Sequence, residues 1–336
     1  MYTQASQFAR QVISRLSVVI LTTVVVTGCC VIPLGGGSFP SLSDDYEEKV
    51  LSGEGSEKIL IIPIEGVITD EETAGFFGPS EESMVAKVVS HLNRARDDIS
   101  IRAIILKINS PGGGVTASDI IYKEIHKFKQ ERNIPVVAVF MDVAASGGYY
   151  VAMAADRVYA HPTTITGSIG VIFGLLNVKE GLDKIGIKDY SITSGDNKAI
   201  GSPTKEMTEE QRQILQSIIN DMYDRFVTVV DKGRPDLRRD TILKLADGRI
   251  YTANQAKKNG LVDDIGYFDE FVRKTTELPN YVGEGKNPRL VLYTKSERKM
   301  DNIYQTPGAQ TSDLNRILRQ LVFPGSSAKF YFLWNP

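Results

Sequence analysis

The sequence predicts an α/β fold: a mainly parallel, twisted sheet covered on both faces by helices. Three observations predict it. Short runs rich in isoleucine and valine, apolar at successive positions, alternate with amphipathic helical stretches, and strands buried on both faces read in that way. Glycine-rich corners follow two of these runs, at Gly112-Gly113-Gly114 and at Gly147-Gly148. A chain of 336 residues, 42% hydrophobic and 24% charged, has the size and composition of one large α/β domain or two modest ones.

The elements follow in order. "ILIIPIEGVI", from Ile59, suits a buried strand. A helix over residues 83–96 carries Val85, Val88, Val89 and Leu92 on one face. A strand over 101–108 runs into the loop "NSPGGG", and a helix over about 116–130 follows. The strand "PVVAVF" leads to the corner Ala144-Ala145-Ser146-Gly147-Gly148, after which a helical pattern resumes with Tyr149, Val151, Ala152 and Ala155. "DRVYAHP" and "SIGVIF" read as short strands, "NVKEGLDKIG" as a helix and "DYSITSG" as a strand entering a loop.

Thr208 followed by Glu209, Glu210 and Gln211 is a capping box opening a long amphipathic helix with Ile214, Leu215, Ile218, Ile219, Met222 and Phe226. Thr252 with Gln255 is a second box, and Gly260 closes its helix. From about residue 279 the pattern weakens to an isolated strand, "RLVLYT", and a polar stretch ending "FYFLWNP". The predicted organisation is an N-terminal segment over 1–34, a Gly/Ser/acid-rich tether over 35–58, a folded domain over 59–278 and a tail over 279–336.

The N-terminal segment points to a membrane. Arg10 and Arg15 precede residues 16–34, a run without a charge. About 18 such residues can span a bilayer, and arginines before them favour a cytoplasmic N-terminus. Val26-Thr27-Gly28-Cys29 is also similar to a bacterial lipobox, which would make Cys29 a lipidated N-terminus. Either way the domain is expected outside the cytoplasm. A net charge of −2 gives no support for nucleic-acid binding. Cys29 and Cys30 are the only cysteines, so cysteine-ligated metal and disulfides are excluded from the domain. His91, His126 and His161 fit no ligand spacing.

Two stretches carry candidate chemistry. A serine at a strand-to-helix corner is lifted out of the sheet, small neighbours leave room for a substrate, and the Gly147 amide faces that space. The competing reading of Ser146 is a plain helix N-cap. The three glycines of "SPGGG" can present bare amides as an oxyanion hole requires, but can equally form a structural turn. A base for Ser146 could be His161, at a strand end, or a lysine. Burial away from acids lowers a lysine pKa and frees its amine. Lys198, in "ITSGDNKAIGSP", lies in a loop among small residues, where it could also be a solvated surface group.

"SPGGG", "AASGGYYVAMAADRVYAHPTTITGSIGV", "SGDNKAIGSP" with "EMT", and "ADGRIYTANQAKKNGLVDDIG" together resemble the signal peptide peptidase A family of serine peptidases, single-catalytic-domain form, in order and spacing. The resemblance covers residues 59–278 and leaves out the tether and most of the tail. It implies a ClpP/crotonase-like spiral fold. It also implies Ser146 as nucleophile, Lys198 as general base, Ser168 as the residue orienting the lysine, and Gly113 with Gly147 as the oxyanion hole. In such members serine and lysine meet across a subunit boundary of a ring-like homo-oligomer, and no cofactor or metal is used. Implied substrates are remnant signal peptides and other unstructured segments at the bacterial membrane, with small or apolar residues beside the cut. Two alternatives remain: an inactive membrane-bound scaffold of the same fold, and acyl-CoA chemistry of the crotonase kind. The targeting segment and the Ser146/Lys198 pair disfavour the second.

Overall fold

The computed structural model describes residues 46–72, 82–295 and 330–334. The uncharged run over 16–34 and Cys29 lie outside them. Among the described residues no helix is long and apolar enough to cross a membrane.

A nine-stranded sheet forms the centre. Its main path runs β1 (Tyr46–Ser52), β10 (Arg289–Lys295), β2 (Lys58–Glu65), β3 (Ile101–Ser110), β5 (Val136–Ala145), β6 (Arg157–Ala160) and β9 (Asp264–Ile265). All pairs on this path are parallel except β1 with β10 at the edge. The strands read as continuous apolar runs because both faces are covered. Leu60, Ile62, Ile104, Leu106, Ala138 and Phe140 point to one face. There they meet α1 (Met84–Asp97), α2 (Val115–Arg132) and α3 (Gly147–Ala152). Ile59, Ile61, Ala103, Ile105, Val137 and Val139 point to the other, against Phe268 and Phe271 of α8 (Phe268–Thr276). This is the mainly parallel, helix-flanked α/β architecture expected from the sequence.

Both capping boxes form as read. Thr208 accepts from the Gln211 amide at the start of α5 (Glu209–Gly233), and Thr252 from the Gln255 amide at α7 (Ala253–Lys258). The sheet, however, reaches beyond 59–278. β1 lies in the stretch read as tether and β10 in the stretch read as tail, and the two pair with each other. Acid-rich composition hid β1, an edge strand on which Glu47 and Glu48 are exposed.

Two expected strands are absent. "SIGVIF" forms a single bridge, at Ile172, and β7 lies just before it, at Ile165–Gly167. "DYSITSG" has no strand partner among the described residues, and Tyr190 and Ile192 stand 83% and 100% exposed. Alternating apolar residues make a strand only where a neighbouring edge supplies hydrogen bonds. The predicted helix in "NVKEGLDKIG" is the six-residue α4 (Lys179–Lys184), and α6 (Arg239–Leu245) follows α5.

Candidate active site

The corner at Ser146 is built by β5 changing neighbours. Its first half pairs with β6, from Val137 to Phe140, and its second half with β7, from Val143 to Ala145. Thr164 spans the gap, donating to the carbonyls of Phe140 and Met141. On the other side the register with β3 slips between Ile108 and Ser110, and the Asn109 side-chain oxygen accepts from the Val143 amide at 3.1 Å. β5 therefore overshoots its neighbours and delivers Ser146 at their carboxyl ends.

Ser146 is 1% exposed, with φ 51° and ψ −114°. That backbone region suits glycine and is costly for a residue with a Cβ. A plain N-cap serine has extended backbone and accepts an amide hydrogen at Oγ. Ser146 makes no such bond, so capping does not account for it. The conformation is held by its amide, which donates to Gly167 O at 2.8 Å, and by its carbonyl, which accepts from Tyr150 at 2.8 Å.

The glycine loop lies alongside. β4 is Gly112–Gly114, and its own edges are both occupied. On one side Ile68 donates to Gly112 O and accepts from the Gly114 amide, each at 2.9 Å. On the other runs β11, Tyr331–Leu333, antiparallel, with Phe332 opposite Gly113. Flanking bonds from Val115 to Phe330 O (3.2 Å) and from Trp334 to Pro111 O (2.8 Å) set a two-residue period. That period makes Gly113 and Phe332 the hydrogen-bonded pair between them, so the Gly113 amide faces the Phe332 carbonyl. A Cβ on Gly113 would lie 2.0 Å from Ile68 O, and one on Gly112 2.0 Å from Phe332 O. Only glycine lets two backbones approach β4 this closely. Gly147 adjoins the same spot: a Cβ there would sit 3.1 Å from both Gly113 N and Phe332 O.

β11 has a second neighbour. Tyr331 and Ile172 exchange both backbone bonds, at 3.0 and 3.1 Å, and Phe330 stacks on Phe173 with centroids 4.6 Å apart. The chain's own C-terminal segment thus lies extended between β4 and Ile172, its side chains reaching into the protein. Phe332 is fully buried in a cluster with Tyr150 and Phe226. Sequence reasoning missed this placement. The signal was present in "FYFLWNP", an apolar run with no breaker before Asn335, but its partner is more than two hundred residues away in the chain.

Ser168 is brought to the corner. It follows β7 directly, is 7% exposed and has φ 51°. Lys198 is not joined to it within one chain. It lies on the exposed excursion between β7 and α5, and its ammonium has no hydrogen-bond or ion-pair partner among the described residues. The loop itself is moored, because Gln211 donates to Asp196 O at 2.9 Å. His161 is engaged elsewhere, with Thr163 Oγ1 at 2.9 Å and the Tyr267 ring. It makes no bond to Ser146, so the Ser–His alternative lacks its contact.

The parallel sheet ends in a strained, buried serine beside a tri-glycine strand, and the Clp protease profile matches residues 61–166, which makes this an α/β protein with a Clp protease-like domain. The profile of Peptidase family S49 matches residues 128–281, which span the serine corner and the Lys198 loop. The chain belongs to this family. It is 39% identical over 224 residues to an Enterococcus faecium protein named as a signal peptide peptidase SppA, covering 67% of this chain and 64% of that one. It is 34% identical to a Methanocaldococcus jannaschii protein named as a protease, covering 74% and 80%. Identity to Protease 4 of Haemophilus influenzae is 37%, over 66% of this chain and 35% of that larger one.

Proposed function

We propose that the chain is a membrane-tethered serine endopeptidase, with Ser146 as nucleophile and Lys198 as base, that cuts unstructured peptides such as remnant signal peptides. The observation that carries this reading is β11. It lies along Gly112–Gly114 as an added strand, with the Phe332 carbonyl facing the Gly113 amide, and Gly147, which follows Ser146, adjoins the same carbonyl. A peptide held by strand addition gains affinity from its backbone and selectivity from its alternate side chains. The carbonyl at the Gly113 amide is the one a nucleophile at position 146 would attack.

The chemistry then balances. The Lys198 amine takes the Ser146 Oγ proton as Oγ bonds to the carbonyl carbon, and the Gly113 and Gly147 amides hold the resulting oxyanion. The lysine returns the proton to the leaving nitrogen as the C–N bond breaks. Water, deprotonated by the same amine, releases the acyl group from Ser146. Ser168 would orient the amine.

A second copy of the chain would supply Lys198. The excursion that carries it exposes Leu175, Leu176, Ile185, Ile187, Tyr190 and Ile192. Apolar surface gathered on one segment marks an interaction site. The tether would hold the assembly on the extracytoplasmic side of a bacterial membrane.

The test compares the detergent-solubilised full chain with Ser146→Ala, Lys198→Ala and a subunit-exchanged mixture of the two, on a short apolar peptide. The proposal expects both single variants to be inactive and the mixture to regain cleavage. A Ser146→Ala variant as active as the parent rejects the peptidase reading and favours the scaffold.

A further inference from the structure

Gln211 makes two hydrogen bonds with its side-chain amide, and only one of them belongs to its own helix. It is the third residue of α5. Its Oε1 accepts from the Thr208 amide at 3.2 Å, and its backbone amide donates to Thr208 Oγ1 at 3.2 Å. That exchange is the capping box. Its Nε2 donates elsewhere, to Asp196 O at 2.9 Å. The two bonds fix which way the side-chain amide faces, because a flipped amide would set donor against donor and oxygen against oxygen.

Asp196 stands two residues before Lys198, inside a chain of tight turns. The Lys198 amide donates to Gly195 O at 3.1 Å, Ile200 to Asn197 O at 3.2 Å and Ser202 to Ala199 O at 3.0 Å. Those bonds stay within the loop, as does the one from Thr193 Oγ1 to Gly195 O at 3.2 Å. The foot of the loop is tied down further along. There Asn177 donates to Lys205 O at 2.7 Å and Val178 to Pro203 O at 2.8 Å. Among the described residues, the bond from Gln211 is the one hydrogen bond that joins residues 195–200 to a helix or strand. The helix it comes from is itself fixed, since the second half of α5 carries Phe226, Val227 and Val230 into the core.

We infer that Gln211 is the positioning residue for Lys198: one end of its amide caps α5, and the other holds the turn that presents the base. This rests on the peptidase reading above and adds to it a residue that acts through Lys198 rather than on the substrate. The chemistry of the position separates the two duties. Glutamate closes a capping box as well as glutamine does, because either offers an oxygen to the N-cap amide. A helix N-terminus even favours the negative side chain, and Glu209 and Glu210 stand there already. What glutamine alone adds is a donor, and here the donor is spent on Asp196 O. The reaction needs that hold. Proton transfer requires the amine within hydrogen-bond reach of the Ser146 hydroxyl, and a small misplacement lowers the rate steeply.

The test uses the full chain in detergent and a short apolar peptide, with Gln211→Glu and Gln211→Met beside the parent. Gln211→Glu keeps the cap and removes the donor. Its kcat should fall about five- to tenfold, the size of one neutral hydrogen bond, with KM unchanged and a thermal midpoint no lower than the parent's. Gln211→Met removes both bonds and adds no charge. The same fall in kcat is expected, now with a lower midpoint. A fall in the glutamate variant alone would trace the effect to the new charge and overturn the inference, and so would parent-like kcat in both.

Subunit exchange gives a readout that stability cannot imitate. In the mixture of Ser146→Ala with Lys198→Ala chains, Gln211→Glu should slow cleavage when carried by the Ser146→Ala chain, which supplies the lysine. Carried by the Lys198→Ala chain, which supplies the serine, it should leave the rate unchanged. Equal slowing from either chain would make Gln211 a structural tie and overturn the inference. A mixture without activity places serine and lysine in one chain, and the two single variants then decide. The peptidase reading is judged separately, by whether the parent cleaves and Ser146→Ala does not. A Lys198→Ala variant as active as the parent rejects Lys198 as base and the role of Gln211 with it.

Discussion

Ser146 and Ser168 leave adjacent parallel strands at the same level, each with φ 51°, and the amide of the first donates to the carbonyl just before the second. Two serines in a glycine-like conformation on neighbouring strands is an expensive arrangement, at about 1–3 kcal/mol per strained residue. Strain at both is consistent with selection for where the hydroxyls point rather than for stability. Ser146→Gly is therefore expected to raise unfolding stability by about 1 kcal/mol while abolishing peptide cleavage. Ser146→Ala should abolish cleavage without that gain, and the comparison needs only two melting curves and one assay.

Ser168 carries a separate expectation. If its hydroxyl orients the base, Ser168→Ala should cut kcat by about ten- to a hundredfold, the size of a hydrogen bond to a charged group, with KM unchanged. An equal fall for denaturation midpoint and activity would instead mark a packing role.

Gly147→Ala tests the proposed oxyanion hole through space rather than through charge. The added methyl would stand 2.6 Å from Ser118 Oγ and 3.1 Å from both Gly113 N and Phe332 O. Ser118 is buried and already committed to Gly114 O at 2.9 Å, so it cannot swing aside freely. The methyl must push β4 away from the corner. A loss of about 10²–10³ in kcat is expected, as for removal of one oxyanion donor, together with a lower thermal midpoint, since overpacking a buried site costs about 1–3 kcal/mol.

How much of this was legible in the sequence depended on the distance over which each feature is decided. Gly112–Gly114, Ser146 and the two capping boxes are local, since conformation and spacing within a few residues announce them. β1 was hidden because an edge strand needs only one apolar face, and Glu47, Glu48 and Lys49 gave it the composition of a linker. "DYSITSG" read as a strand because apolar residues alternate there, yet no strand among the described residues pairs with it. The Asp119–Arg225 ion pair and the seat of β11 join residues more than a hundred positions apart, the second at Gly113 with Phe332. No periodicity reports such a pairing.

The docked C-terminal strand should act as a competitor for added substrate. A segment tethered to its own site has an effective concentration in the millimolar range. Deleting residues 330–336 is expected to lower the apparent KM for a short peptide by about tenfold or more, and a free peptide of the deleted sequence should restore the higher value. An unchanged KM would mean that β11 leaves the groove at no cost.

Acid should loosen the opposite edge of the sheet. His91 of α1 is 3% exposed, and neither ring nitrogen has a hydrogen-bond partner among the described residues. It packs edge-on against Tyr46 of β1 at 4.9 Å and Tyr293 of β10 at 5.6 Å. Burial above all, and then the positive charges of Arg94 and Lys87, push its pKa down from 6.5 to about 4. Between those values the unfolded chain binds a proton that the folded one refuses, so stability falls as pH drops from 6.5 toward 4 and is unaffected above 6.5. The full loss from this one group is about 3 kcal/mol. His91→Phe keeps an aromatic edge between the two tyrosines and removes the titration. Its unfolding free energy should lose this part of its pH dependence between 6.5 and 4, measured by denaturant titration at several pH values. A variant as acid-sensitive as the parent would place the acid-labile group elsewhere.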